Sequence, residues 1–355
     1  MSDIFDYMAW RGDLSLQQDA FGEVDNLIFS MLSFLNLKGI CGGIDAKPVP
    51  LTTAVHKFLR RPHDERYYGA HVPRDLGRMA ERAASCERYK GTQAIAFCDE
   101  ITRSPAMQFA ALTLLLPDGS LFIAFRGTDD SLAGWREDCN MCFLSPVPAQ
   151  LRAVQYLEEI AARYDGPIRL GGHSKGGNLA VWAAVHARDA VRDRIVMAYS
   201  NDGPGFPAEV VASAAYQLMA DRTITLIPES SVVGMLLKHD DRFITIKSNN
   251  KGIFQHHPFS WDVTRGAFTR VSSRSAARMA HDAALRDRLD ALTAVQKQAL
   301  VEGLFSVLEA SGAHTVTEIT RDGLKAGAAM LRSLQGLDDE TRAQLRSLLQ
   351  HILKT

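Results

Sequence analysis

The chain lacks most features that would mark a specialised class. Its 355 residues contain no run of about 18 uninterrupted apolar side chains, which argues against a transmembrane helix. Neither sign of charge dominates: 40 Lys and Arg against 41 Asp and Glu leave a formal charge of −1. That balance gives no overall attraction to nucleic acid or anionic lipid. Cysteine is scarce and odd in number, at Cys41, Cys86, Cys98, Cys139 and Cys142. Cys139 and Cys142 have the spacing of half a zinc site, but no second pair or nearby histidine completes it, so no metal is implied. A reducing cytoplasm is the expected location. Met1 to Gly12 carries Asp3 and Asp6 and no basic stretch followed by an apolar run, which argues against a signal peptide. There is no internal repeat and no low-complexity tract. With 46% hydrophobic and 23% charged residues, disorder, collagen and coiled coil are excluded over most of the length. What remains is a globular chain longer than the roughly 250 residues of one α/β enzyme core.

Residues 1–90 read as an N-terminal helical and cap-like segment. Within 24–37, Leu27, Ile28, Met31, Leu32 and Leu35 recur at helical spacing and predict one apolar face. Residues 41–90 are charged and broken by Gly42-Gly43, Pro48, Pro50, Pro62 and Pro73, and the part from 41 to 73 is a candidate cap over a site. The pattern changes at Thr92. Residues 92–98 are a short β-like run, and 108–116 and 121–125 flank the turn Pro117-Asp118-Gly119-Ser120, which predicts a hairpin. A helix follows, with Leu151, Val154, Leu157 and Ile160 on one side. Residues 167–170, 195–199, 223–227 and 243–246 are further strands separated by helical or irregular segments. Such alternation predicts a mainly parallel sheet with helices on both faces, an α/β core over 91–272. From 273 to 355 no strand is expected. This stretch reads as a C-terminal helical appendage whose last helix, capped by Asp338 or Asp339, aligns Leu345, Leu348, Leu349 and Ile352.

The chemistry concentrates in Leu170-Gly171-Gly172-His173-Ser174-Lys175-Gly176-Gly177-Asn178, a G-x-S-x-G pattern between a predicted strand and a predicted helix. A nucleophile on a sharp strand-to-helix turn has strained dihedrals. Side chains at the flanking positions would collide, so glycine is required there. The turn lifts the Ser174 hydroxyl above the sheet edge, over a helix amino terminus whose N–H groups favour developing negative charge. A second segment, Phe122 to Asp130, leaves a strand into a polar loop. The Thr128 N–H, with its hydroxyl as a further donor, and the Lys175 N–H are the candidate oxyanion donors. The Lys175 side chain is expected to be solvated, and Arg126 and Asp138 are expected to pair and order the loop.

These motifs resemble the class 3 lipase branch of the α/β-hydrolases. The match is closer still to a bacterial α/β-hydrolase-like family of largely uncharacterised function. The resemblance rests on Phe125-Arg126-Gly127-Thr128-Asp129, Gly134-Trp135-Arg136-Glu137-Asp138, Gly172-His173-Ser174-Lys175-Gly176-Gly177-Asn178, Asp202-Gly203-Pro204-Gly205-Phe206, and His256 with Pro258-Phe259-Ser260-Trp261. Trp10-Arg11-Gly12-Asp13-Leu14-Ser15 fits as well. It spans roughly residues 1 to 265 and implies an α/β-hydrolase fold with Ser, acid and His in that chain order.

The base must lie downstream of Ser174, on a loop after a late strand. His186 falls in the helix after the nucleophile, and His281, His314 and His351 fall in the tail. His239 sits beside Asp240 and Asp241 as a surface residue. His256 follows the 243–246 strand and precedes Pro258 and Trp261, as the catalytic histidine does in the lipase pattern; its neighbour His257 is the rival. For the acid, Asp202 follows the 195–199 strand. The usual class 3 position comes after the next strand, where this chain has Pro228-Glu229-Ser230-Ser231 and a serine in place of Asp. Asp202 is favoured, with Glu229 next. The expected activity is hydrolysis of a carboxylic ester, on a small-molecule or lipid substrate, through Ser174, His256 and Asp202 and without a cofactor. Two alternatives stand beside it: a catalytically inactive binding protein on the same fold, and a thioesterase or acyltransferase. Oligomeric state is not legible in the sequence.

Overall fold

The computed structural model describes residues 2–62, 75–141, 143–231, 233–240, 242–272, 291–321, 330, 333–339 and 341–343. The chain begins with helices α1 (Ile4–Arg11) and α2 (Glu23–Leu32), a two-residue strand β1 (Val49–Pro50), and helices α3 (Leu51–Leu59) and α4 (Leu76–Ser85). Strands β2 (Gln93–Arg103), β3 (Ala106–Leu115) and β4 (Leu121–Phe125) follow, then α5 (Leu132–Asn140) and α6 (Pro148–Arg163). The remaining core is β5 (Ile168–His173), α7 (Lys175–His186), β6 (Ile195–Asn201), β7 (Thr223–Pro228) and β8 (Ile244–Ile246). All eight strands form one sheet in chain order. β1 to β4 pair antiparallel, and β4 to β8 pair parallel. The expected hairpin is the β3–β4 pair. The parallel half places the carboxyl ends of β4, β5, β6 and β7 along one edge, where α/β enzymes build their sites. This is the α/β-hydrolase fold.

Alternation along β4 shows why both faces are covered. Phe122 and Ala124 join the apolar cluster that contains α2, while Leu121, Ile123 and Phe125 join the one built around α6 and α7. Each large side chain so buried stabilises the fold by about 1.5–3 kcal/mol. All five apolar residues expected on the 24–37 helix are buried, and α2 lies across β4, β5 and β6. Its polar residues are buried too. Asp25 accepts from Arg88 Nε and Nη2, both at 2.7 Å, and from the hydroxyls of Tyr7 and Tyr89 at 3.0 and 2.7 Å. One carboxylate thus ties α1, α2 and the segment before β2 together.

On α6 one expectation fails. Leu157 and Ile160 are buried, but Leu151 is 58% exposed. The buried stripe also runs through Ala149, Ala153 and Tyr156, where α6 packs on both α7 and β3. In the C-terminal part, helix Ala294–Glu309 packs on α5. Asp338 accepts from the Thr341 N–H at 2.8 Å, as a helix cap does. The apolar face expected at 345–352, Cys142 and residues 63–74 of the candidate cap lie outside the described residues. Among the described residues no helix is long and apolar enough to cross a membrane.

Candidate active site

Ser174 sits between β5 and α7 with φ 59° and ψ −132°, a conformation that residues with side chains rarely adopt. The flanking glycines explain how the turn closes. A Cβ on Gly172 would overlap the Gly176 backbone, and one on Gly176 would overlap the carbonyl of Phe125. The Ser174 N–H is held by the Asn201 carbonyl at 3.0 Å, which fixes the elbow to the end of β6. Asn201 is itself anchored from α2: Asn26 Nδ2 donates to its Oδ1 at 2.8 Å, and its own Nδ2 donates to the Gly172 carbonyl at 2.9 Å.

In the β5–β6 register His173 lies opposite Asn201, so Ser174 and Asp202 leave adjacent strand ends side by side. Asp202, fully buried and at φ 54°, places Oδ2 2.7 Å from His256 Nδ1. The carboxylate accepts, so the imidazole carries its proton on Nδ1 and presents the Nε2 lone pair. The Ser231 hydroxyl donates to the same Oδ2 at 2.8 Å and accepts from the Gly234 N–H at 3.1 Å. Ser231 is the residue that stands where an aspartate was expected after β7. Here it donates to the carboxylate supplied by the neighbouring strand. Of the two carboxylates weighed, Asp202 is the one on His256.

The histidine loop is fastened at three points. Gln255 Oε1 accepts from the Ser230 N–H at 2.7 Å, Trp261 Nε1 donates to the Gln255 carbonyl at 2.9 Å, and His173 Nε2 donates to the His256 carbonyl at 2.8 Å. The His173 and His256 rings lie 4.5 Å apart. Burial pushes the His173 pKa well below its ordinary value, so His173 is neutral where it lies against His256. His257 turns edge-on to Phe259, 5.6 Å away. His186 stacks on Trp182 at 3.7 Å, within α7.

The oxyanion loop departs from the sequence-based expectations in three ways. First, the Thr128 hydroxyl donates to Asp138 Oδ2, so its proton is committed to the loop. Burial pushes the Asp138 carboxyl up to about 6, against the pull of Lys175 and Thr128. Second, Arg126 pairs with Asp99 at 2.9 Å and Asp129 at 3.2 Å, not with Asp138. Third, the Lys175 side chain is not solvated. It is 1% exposed, and its three N–H groups meet the Gln108 carbonyl at 2.9 Å, Gln108 Oε1 at 2.7 Å and Glu137 Oε2 at 3.2 Å. Glu137 is fully buried and also accepts from the N–H groups of Gln108 and Ala149 at 3.0 and 2.8 Å. Among the described residues neither the Thr128 N–H nor the Lys175 N–H donates within the protein.

Asn178, the last residue of the elbow motif, explains the Asp-Gly-Pro-Gly run. Its Nδ2 donates to the carbonyls of Pro204 and Gly205 at 3.2 and 2.9 Å and holds the loop after Asp202 against α7. Sequence reasoning missed Ser231, Gln255, Asn201, Gln108 and Glu137 as supports of the site. Glu137 and Ser231 lay in stretches already singled out, but not as supports of the site.

No curated protein matches the chain. Among solved structures, the native Rhizomucor miehei lipase propeptide complex is similar at 16% identity and a TM-score of 0.36, covering 50% of this chain and 68% of that one. M37 lipase is similar at 14% identity and a TM-score of 0.34, covering 61% of this chain and 70% of its own. The Mbeg1-like family model matches residues 83–306, from the end of α4 through the sheet into helix Ala294–Glu309. That match takes in more than half of the sequence, and the chain belongs to the Mbeg1-like family.

Proposed function

We propose that this protein is a serine hydrolase of carboxylic esters, with Ser174 as nucleophile, His256 as base and Asp202 as acid. The observation that carries the reading is the 2.7 Å contact between His256 Nδ1 and the buried Asp202, together with a serine held at φ 59° on a strand-to-helix elbow at the end of the adjacent strand. His256 Nε2 takes the hydroxyl proton as Ser174 Oγ bonds to the ester carbonyl carbon. The oxyanion forms against the N–H groups of Thr128 and Lys175, each such donor being worth on the order of 3 kcal/mol. Collapse breaks the ester C–O bond, and the proton passes from His256 to the leaving alcohol. Water then repeats the sequence on the acyl-enzyme and releases the acid. Asp202 fixes the tautomer and stabilises the imidazolium. The alternative of an inactive binding protein drew on the absent acid after β7; the carboxylate of Asp202 on His256 favours the hydrolase instead.

A fluorophosphonate probe tests this directly. Labelling of the wild type should vanish in Ser174→Ala. Asp202→Asn should slow turnover of p-nitrophenyl butyrate by roughly three to four orders of magnitude, while Glu229→Gln leaves it unchanged. Labelling that survives Ser174→Ala, or a crippled Glu229→Gln beside an active Asp202→Asn, would overturn the proposal.

A further inference from the structure

The loop that carries Thr128 is fixed at its start by Arg126 on Asp99, but its middle is held by a part of the chain that the hydrolase reading does not use. Asp130 is 6% exposed, and its Oδ2 accepts the Thr317 N–H at 3.2 Å. Ser131 forms an antiparallel bridge with Thr315, and the Leu132 N–H donates to the His314 carbonyl at 2.9 Å. Behind this bridge Leu132 packs with Val301 and Phe305, the latter 1% exposed. The Arg136 guanidinium lies 5.7 Å from the Phe305 ring and 3.2 Å from the Glu309 carboxylate. Four kinds of contact therefore converge on the first turn of α5 and the residues just before it: a bridge, a bond to a buried carboxylate, an apolar cluster and an ion pair.

Thr128 is tied to this region twice. Two residues of chain separate it from the bridged Ser131, and its hydroxyl is held by Asp138, which rides on α5. α5 in turn lies between β3 on one side and helix Ala294–Glu309 on the other. A shift of α5 away from β3 would carry Asp138, and with it Thr128, off the elbow. An oxyanion donor must be placed to a fraction of an ångström to act, so what sets the tilt of α5 also sets the donor.

We propose that residues 294–321 are a positioning brace for the oxyanion loop: Phe305 anchors α5 while the His314–Thr317 backbone holds Asp130, Ser131 and Leu132, and together they set where the Thr128 N–H points. The catalytic half of this inference rests on the hydrolase reading above; the structural half does not. A segment that merely covered an apolar patch would change stability on mutation but would not act selectively on the chemical step.

The test uses the full chain with Phe305→Ala, Arg136→Glu and the double variant Arg136→Glu/Glu309→Arg. Three readouts are taken: fluorophosphonate labelling rate, kcat and KM for p-nitrophenyl butyrate, and amide hydrogen exchange by peptide. Phe305→Ala should label roughly tenfold more slowly, with kcat reduced alike and KM unchanged. Exchange should accelerate in 127–136 and not in β4 or β5. Arg136→Glu should show a smaller loss, up to about fivefold as befits a partly exposed pair, and the charge-swapped double variant should restore it. Wild-type labelling and exchange in Phe305→Ala would overturn the brace, as would faster exchange spread evenly over the chain. If the wild type itself does not label, the hydrolase reading falls and exchange alone decides: acceleration confined to 127–136 supports the brace, and its absence overturns it.

Discussion

Replacing Lys175 separates two incompatible pictures of the elbow. If the ammonium were solvated, as its type alone suggests, Lys175→Met would change stability by no more than about 0.5 kcal/mol. The structure instead pairs it with Glu137 at 3.2 Å, the two side chains 1% and 0% exposed. Removing one partner of such a pair leaves a buried charge uncompensated and costs about 3–5 kcal/mol. Lys175→Met should therefore lower Tm by on the order of 10 °C, at roughly 2–4 °C per kcal/mol. Glu137→Gln should do the same, since it removes the carboxylate at 3.2 Å and leaves the ammonium with the two oxygens of Gln108 and the more distant Asp138 Oδ1 at 3.7 Å. The double variant Lys175→Met/Glu137→Gln removes both charges together. It should be less destabilised than the sum of the singles by at least about 2 kcal/mol, the coupling a double-mutant cycle assigns to contacting residues. Urea or thermal unfolding followed by circular dichroism measures all four proteins. Single variants within 1 kcal/mol of wild type, or costs that simply add, would refute the pairing argument.

Two further outcomes follow from the same geometry. His173 is buried with its pKa held well below the 6.5 of the unfolded chain, so below that pH the unfolded state binds a proton that the native state refuses. Stability contributed by neutral His173 is present above about 6.5 and lost as pH falls, by up to about 1.4 kcal/mol per unit; His173→Gln should flatten the Tm profile between pH 6.5 and 5, and an unchanged slope would count against it. Ser231→Ala removes one of the two donors on Asp202 Oδ2 and should lower kcat for p-nitrophenyl butyrate roughly tenfold, about the 1.4 kcal/mol that one hydrogen bond to a charged group supplies, while Ser231→Thr retains most of the rate; equal rates in Ala and wild type would show that the acid needs no support from β7.

The parts that were legible in the sequence are those where a local rule dictates the residues. The Gly-Ser-Gly spacing follows from a steric collision within a few residues, and the β3–β4 hairpin from the turn residues Pro117-Asp118-Gly119-Ser120 between two apolar runs. β2 was read only to Cys98, whereas it continues through Asp99, Glu100 and Thr102 to Arg103. There the strand leaves the apolar core: the Asp99 side chain is buried in its ion pair with Arg126, residues 101–103 are exposed, and the period-two signal disappears. The burial of Lys175 was not legible for a different reason. Lysine is almost never fully buried, and the groups that make burial tolerable here, Gln108 and Glu137, are 67 and 38 positions away in the chain.

The acid could not be settled from sequence because chain order and spatial order diverge at the sheet edge. β6 and β7 run parallel with Asn201 opposite Leu226, so the loops that leave them occupy neighbouring ground. Sequence order alone therefore leaves both Asp202 and Glu229 in contention for the same imidazole. What changes is which loop must then supply a small hydroxyl instead of a second charge. Here β6 brings Asp202 and β7 brings Ser231, which donates to it. A second carboxylate at position 231 would have faced Asp202 across about the length of a hydrogen bond, and two buried anions that close cannot both stay ionised. The serine after β7 is therefore the complement of the aspartate after β6, and the pair is read correctly only when both strand ends are considered at once.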